Sequence, residues 1–222
     1  MLLKTIAGFL QLTVLLALLL FAPAWTLHFR QAWIYLADFL GSSLLITTYL
    51  WRHDRQLLER RLKAGPGAER RRSQNWIQAL ASFCFMALLV VPSLDRRFGW
   101  SHAPAAVEGT GIALVTIGFL AVFRVFRANS FTAGTIEITE QQTLISTGPY
   151  ALVRHPIYSG ALILLLGTPL ALGSFWGLLP LIPMTAVLVA RLLDEEKVLT
   201  EGLRGYREYC QTVRVRLVPF LW

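Results

Sequence analysis

The chain has 222 residues, of which 55% are hydrophobic and 15% charged, and its formal net charge is +8. Soluble domains carry about a quarter charged residues, so this composition, with a mean hydropathy of +0.54, excludes a water-soluble globule. Membrane topology and anionic headgroups account for the positive charge, so no nucleic-acid partner is expected.

A spanning helix needs roughly 20 apolar residues. Stretches near 5–23, 31–51, 76–94, 105–126, 156–172 and 175–193 meet that need. The first, with Lys4 ahead of the run 12–21 and Ala22-Pro23-Ala24 after it, also resembles a cleavable signal peptide. Its extension back to Ile6 favours a spanning helix. Between the second and third stretches lies a basic segment, Arg52 to Arg72, broken by Gly65-Pro66-Gly67. It reads as a solvated interfacial loop. Val107-Glu108-Gly109-Thr110-Gly111 imitates a nucleotide-binding turn but continues into Ile112-Ala113 within an apolar span. Such turns follow a strand and carry a further glycine, so close helix packing by small residues is expected instead. The block 158–193 is too long for one crossing, and Gly173-Ser174 supplies a turn, giving a helical hairpin.

With six spans, both chain ends share one side. Eighteen basic residues fall on that side and three, Arg30, Arg96 and Arg97, on the other. The positive-inside rule places both ends in the cytoplasm. The preference for arginine over lysine points to a bacterial inner membrane. Cys84 and Cys210 have no CxxC partner, and the four histidines are far apart without HExxH. Neither a disulfide nor a metal site is expected.

Polar, titratable residues at the mouth of a membrane helix are functional candidates by default. Two such clusters occur. In the first, residues 148–160, Gly148-Pro149 forms a turn and Pro156 suits the first helical position, where its missing N–H costs nothing. Arg154 and His155 then sit before a helix amino terminus, a place that suits a carboxylate or phosphate. Gly160, one turn in, permits close approach of a ligand or backbone. In the second cluster, Arg191 and Glu195 are four apart and can share a helix face, while Glu196 points elsewhere. Spacing alone does not decide which glutamate turns inward. Thr135-Ile136-Glu137-Ile138-Thr139 alternates as a short strand would.

Gly148-Pro149-Tyr150, the block Arg154 to Gly160, Glu195-Glu196, Tyr206-x-x-Tyr209 and Arg216-Leu217-Val218-Pro219-Phe220 occur in that order. Together they resemble the integral-membrane isoprenylcysteine carboxyl methyltransferases and related phospholipid methyltransferases. The resemblance covers roughly Asn129 to Trp222; the earlier spans carry no comparable signature. Relatives often place a histidine shortly before the Gly-x-Tyr turn, where this chain reads Gln141-Gln142-Thr143-Leu144.

The resemblance implies an all-α, polytopic transmembrane helical bundle of five to six spans with a cytoplasmic carboxyl-terminal cofactor site. Residues 1–127 would form the amino-terminal spans and 128–222 the catalytic region. S-adenosylmethionine would be the methyl donor, held by Tyr150, His155, Pro156, Tyr158 and Gly160; Arg154, with the helix terminus, has the charge to meet the donor's carboxylate. Glu195 and Glu196 would serve the cofactor or the transfer centre, and Arg216 would face the substrate. The expected partners are membrane lipids and a lipophilic or lipidated acceptor, a prenylcysteine-like carboxylate or a lipid amine, with no obligate protein partner. A different class also fits a basic helical bundle ending in an Arg-x-x-Pro-Phe tail: a membrane-embedded NADPH-dependent sterol or enone reductase. A third reading is a lipid-binding bundle whose polar clusters are interfacial anchors.

Overall fold

A computed structural model describes residues 2–62, 72–132, 134–135, 142–218 and 222. Within them, all regular structure is helical. Helix α1 spans Leu2–Ala24 and α2 spans Arg30–His53. A short helix, α3 (Arg55–Leu62), follows directly. Then come α4 (Arg72–Phe98), α5 (Ala105–Ala128), α6 (Pro156–Ala171), α7 (Leu181–Gly202) and α8 (Tyr206–Thr212). Five segments are long and apolar enough to cross a membrane: Thr5–Ala24, α2, α4, α5 and Trp176–Gly202. The alternating segment expected at 135–139 lies, from residue 136 onward, outside the described residues.

Helix boundaries follow local chemistry. Pro104 and Pro156 stand at the starts of α5 and α6, where a missing N–H is tolerated. Gly99, Gly173 and Gly205 adopt positive φ between elements, and the Gly173 turn is the one foreseen between the hairpin arms. Asp54 separates α2 from α3; its carboxylate accepts the Leu57 N–H at 2.9 Å, which satisfies an otherwise free donor in the first turn of α3.

Helix α6 has 16 residues, about 24 Å at 1.5 Å per residue, against a hydrocarbon core of about 30 Å. The stretch 156–172, expected as a span, is therefore not among the five segments long enough to cross; α6 packs along α5 instead. The turn beyond it is fastened at the far end, where Asp95 of α4 accepts from Ser174 Oγ (2.5 Å), Ser101 Oγ (2.5 Å) and the Ser101 N–H (2.7 Å). Beside this knot, Glu108 of α5 accepts from Gln31 (2.7 Å) and Arg30 (3.3 Å) of α2. These bonds gather the ends of α2, α4, α5 and the α6–α7 turn.

The tightest packing in the bundle joins α5 to α6. A Cβ on Gly111 would lie 2.1 Å from the Ala171 backbone nitrogen, and one on Gly118 would lie 2.6 Å from Leu164 Cβ. The expectation of close packing thus holds for Gly111, whereas Gly109 has nothing within 4 Å. An apolar core joins Leu16 and Leu20 of α1, Tyr35 of α2, Leu89 of α4, Val115 of α5 and Ala171. Cys84 belongs to a second cluster with Leu88, Leu165 and Met184, and Cys210, within α8, packs against the cluster of Tyr206, Tyr209 and Val213.

Candidate active site

At the basic end of the bundle, a cavity of about 350 Å³ opens between α3, α4, α6, α7, α8 and the 129–155 connection. That lies at the small end of the range for ligand pockets, about 300–1,000 Å³. Its floor is the first turn of α6. The Arg154 and His155 backbone N–H groups donate to the carbonyls of Val215 (2.9 Å) and Arg216 (3.0 Å), and Ser159 Oγ donates to Leu217 O at 2.5 Å. The tail after α8 is thereby knitted to the Arg154-His155 block, although some sixty residues separate them.

Glu196 is the hub of the ion pairs. Its Oε1 lies 3.1 Å from Arg154 Nη1 and 3.2 Å from His155 Nε2, and its Oε2 accepts from Arg216 Nε at 3.0 Å. Its side chain is 12% exposed and that of Arg154 8%, so the pairing is shielded from water and each member depends on the others. Arg216 also stacks on Trp222, 5.0 Å from the ring centre.

Glu195, one residue earlier on α7, points into the cavity. Tyr158 of α6 donates its hydroxyl to Glu195 Oε2 at 2.6 Å and accepts from Arg191 Nε at 3.1 Å. The phenol is thus interposed between the two α7 residues that spacing would pair directly. Arg191 continues to Gln74 Oε1 (3.3 Å) and the Gly134 carbonyl (2.8 Å), and Gln74 donates to Asp194. Helix α4 therefore braces α7 from within the span.

The remaining wall is built from phenols. Tyr209 donates to the Tyr150 carbonyl (2.7 Å), and Asn129 donates to the Tyr150 hydroxyl (2.9 Å). Tyr206 packs with Tyr209, Leu144 and Leu199. Two buried donors here, Arg154 Nε and Tyr206 Oη, have no partner among the described residues. Both side chains line the cavity. Leaving such a group unsatisfied costs about 1–3 kcal/mol, a cost that an acceptor in the cavity would relieve.

Burial pushes the phenols of Tyr206, Tyr209 and Tyr150 above their ordinary value, and Glu196 adds to the effect at Tyr206. All three are neutral O–H donors at physiological pH. In the unfolded chain they ionise near pH 10, below their folded values. Their contribution to stability is therefore complete below about pH 10 and is lost as pH rises through the folded values. The unfolding temperature in detergent is expected to fall across that range, and Tyr206→Phe is expected to make the fall shallower. An unchanged slope would remove Tyr206 from this account.

Of the residues singled out in the sequence, Tyr150, Arg154, His155, Pro156, Tyr158 and Glu195 line the cavity. Glu196 and Arg216 stand behind it, joined through their ion pair. Gly160 sits on the other side of α6, where an added Cβ would meet Ala121 and Val122 of α5 at 3.1 Å; its missing side chain admits a helix there. The basic segment after α2 differs from a solvated loop in its first part. Leu57 and Leu58 of α3 are buried with Leu50 and Phe126. Arg60 donates to Ser130 O at 3.1 Å, and Arg61, 5.0 Å from the Phe126 ring, reaches the cavity. Residues 63–71 of that segment lie outside the described residues. Arg61, Gln78 and Asn129 are lining residues that the sequence reading passed over. Gln74 and Gln78, one turn apart near the start of an otherwise apolar span, were the available signal.

Comparison with known proteins bears on this half of the chain. A stretch of 92 residues, 40% of the chain, is 36% identical to the Delta(14)-sterol reductase TM7SF2 of Mus musculus. The match takes in only 22% of that protein's length. Residues 107–205, from α5 to the turn before α8, match the phospholipid methyltransferase (PEMT) family. With five helices fit to cross a bilayer, the protein is an integral membrane protein, and its residues 107–205, somewhat less than half of the chain, are similar to the phospholipid methyltransferases.

Proposed function

We propose that the protein is an S-adenosylmethionine-dependent methyltransferase acting on a lipophilic acceptor at the membrane surface, with both chain ends cytoplasmic. The observation that carries this reading is the pairing of opposite charges around one cavity. Arg154 Nε and Tyr206 Oη are buried donors without acceptors among the described residues, and Glu195 is a carboxylate turned into the same space. A donor with an amino-acid moiety needs both. Its carboxylate would take the two donors, and its ammonium would meet Glu195. When bound, S-adenosylmethionine supplies an activated methyl group on a sulfonium.

The chain's own contribution is alignment and exclusion of water. Tyr158 fixes the Glu195 carboxylate, and Arg191 fixes Tyr158. Tyr150 presents an aromatic face to an adenine ring or a sulfonium. Glu196 holds Arg154, His155 and Arg216 together behind the wall; Arg216, the more exposed of the two arginines, also faces outward toward an acceptor. An acceptor carboxylate, with a pKa of about 3.5, needs no base. Region 128–222 is the catalytic part, and 1–127 lends it Arg61 and Gln78 from α3 and α4.

The similarity to a sterol reductase keeps a second reading in play, in which the cavity holds a nicotinamide dinucleotide for reduction of a sterol-like double bond. Calorimetric titration of the purified protein separates the two. Saturable binding of S-adenosylhomocysteine with no response to NADPH is the expected result. Binding of NADPH alone would replace the methyltransferase reading with the reductase.

A further inference from the structure

A second recess lies on the opposite side of α6. On that helix, Ile157, Tyr158 and Ala161 face the catalytic cavity, whereas Ser159, Gly160 and Ile163 face a groove of about 610 Å³. At 100° per residue these two sets lie on opposite faces. The groove runs between α5 and α6 and is closed at the basic end by the 148–153 turn and Leu217. Its walls are largely apolar side chains, and Leu152 at its mouth is 69% exposed.

Two charged residues stand among the lining, Arg124 and Arg127, both on the last turns of α5. Both are exposed, and among the described residues no carboxylate lines the groove with them. Three residues apart, they share one helix face, where like charges repel. Among the described residues no hydrogen bond or ion pair engages either one, in contrast to Arg60, Arg154, Arg191 and Arg216. An apolar slot ending in two unneutralised guanidinium groups, at the level where a helix leaves the bilayer, has the chemistry of a lipid with a negative headgroup.

We infer that this groove binds one anionic glycerophospholipid, an acyl chain lying between α5 and α6 and the phosphate at Arg124 and Arg127. The lipid is not the methyl acceptor, because the first turns of α6 stand between its headgroup and Glu195. It acts as a wedge that holds the outer side of the helix whose inner side forms the catalytic floor.

Native mass spectrometry of the delipidated protein in detergent tests this directly. Phosphatidylglycerol and phosphatidylcholine with identical chains are offered in competition. The expected result is retention of one phosphatidylglycerol with about tenfold or greater preference, from two arginines at an anionic headgroup. The preference should vanish in R124Q/R127Q, persist in R124K/R127K, and persist in R204Q/R207Q, which removes two exposed charges from the same end outside the groove. Ile163→Trp, which fills the apolar wall, should weaken retention of both lipids. Equal retention of the two lipids by the unaltered protein would overturn the inference. So would equal loss in R204Q/R207Q, or a groove-filling variant that binds as before. Unfolding temperatures of the lipid-free variants separate loss of the site from loss of the fold.

Discussion

Replacing Gly111 with leucine is expected to separate α5 from α6 and to cause a large loss of stability. Even a methyl group at this position would lie 2.1 Å from the Ala171 nitrogen and 2.5 Å from the Leu170 carbonyl carbon. These are backbone atoms, which cannot rotate aside as a side chain can. Overpacking of a close-packed interior costs about 1–3 kcal/mol, and occasionally more; with backbone on both sides, Gly111→Leu belongs at or above the upper end. Gly109, two residues earlier on the same helix, has nothing within 4 Å, so Gly109→Leu is the matched control. Unfolding in detergent should show a drop for Gly111→Leu of about 6–12 °C or more, at about 2–4 °C per kcal/mol for a chain of this size. Gly109→Leu should change it little. Similar behaviour of the two variants would mean that the α5–α6 contact is looser than the structure shows.

Glu196→Ala should be comparably severe, for an electrostatic reason. The carboxylate is the common partner of Arg154, His155 and Arg216, and Arg154 is buried. Removing one partner of a buried ion pair strands the other charge, at a cost of about 3–5 kcal/mol. The tail that carries Arg216 is also bonded through its backbone to residues 154 and 155, so loosening one side chain loosens the floor of the cavity. Glu196→Gln keeps the shape and can still accept hydrogen bonds, and should lose less. Thermal unfolding of the two variants beside the parent checks the order. Equal, small losses would show that Glu196 is solvated and its pairs are worth little.

Five of the six expected spans were legible because bilayer thickness sets a length that apolar runs either reach or miss, and 156–172 misses it. The α6–α7 hairpin was legible from Gly173-Ser174. Its function at the far end was not, since nothing in sequence links Ser174 to Asp95, 79 positions away. The two walls of the site, 148–160 and 191–196, were visible as polar residues at helix mouths. Which glutamate faced the cavity was not, because adjacent residues on a helix differ by 100° and the rotation of α7 is set by Gln74 and Tyr158, on other helices. Gly160 illustrates a different limit. A glycine one turn into a helix reports that something comes close, but a ligand and a neighbouring helix require the same absence of Cβ. Arg61 was hidden among eight basic residues of one segment; only the burial of Leu57 and Leu58 gives α3 a rotation that turns one of them inward.

The central claim is that Glu195 meets the ammonium of an amino-acid-bearing nucleoside. The most direct test compares two ligands on two proteins: S-adenosylhomocysteine and 5′-methylthioadenosine, which lacks the amino-acid portion, titrated into the parent and Glu195→Gln. A charge-assisted bond is worth about 1.5–3 kcal/mol, so S-adenosylhomocysteine should bind the variant about ten- to a hundredfold more weakly. Methylthioadenosine should bind both proteins alike. If the substitution weakens both ligands equally, or neither, Glu195 does not hold the donor's amino group and the proposed arrangement of the cavity is wrong.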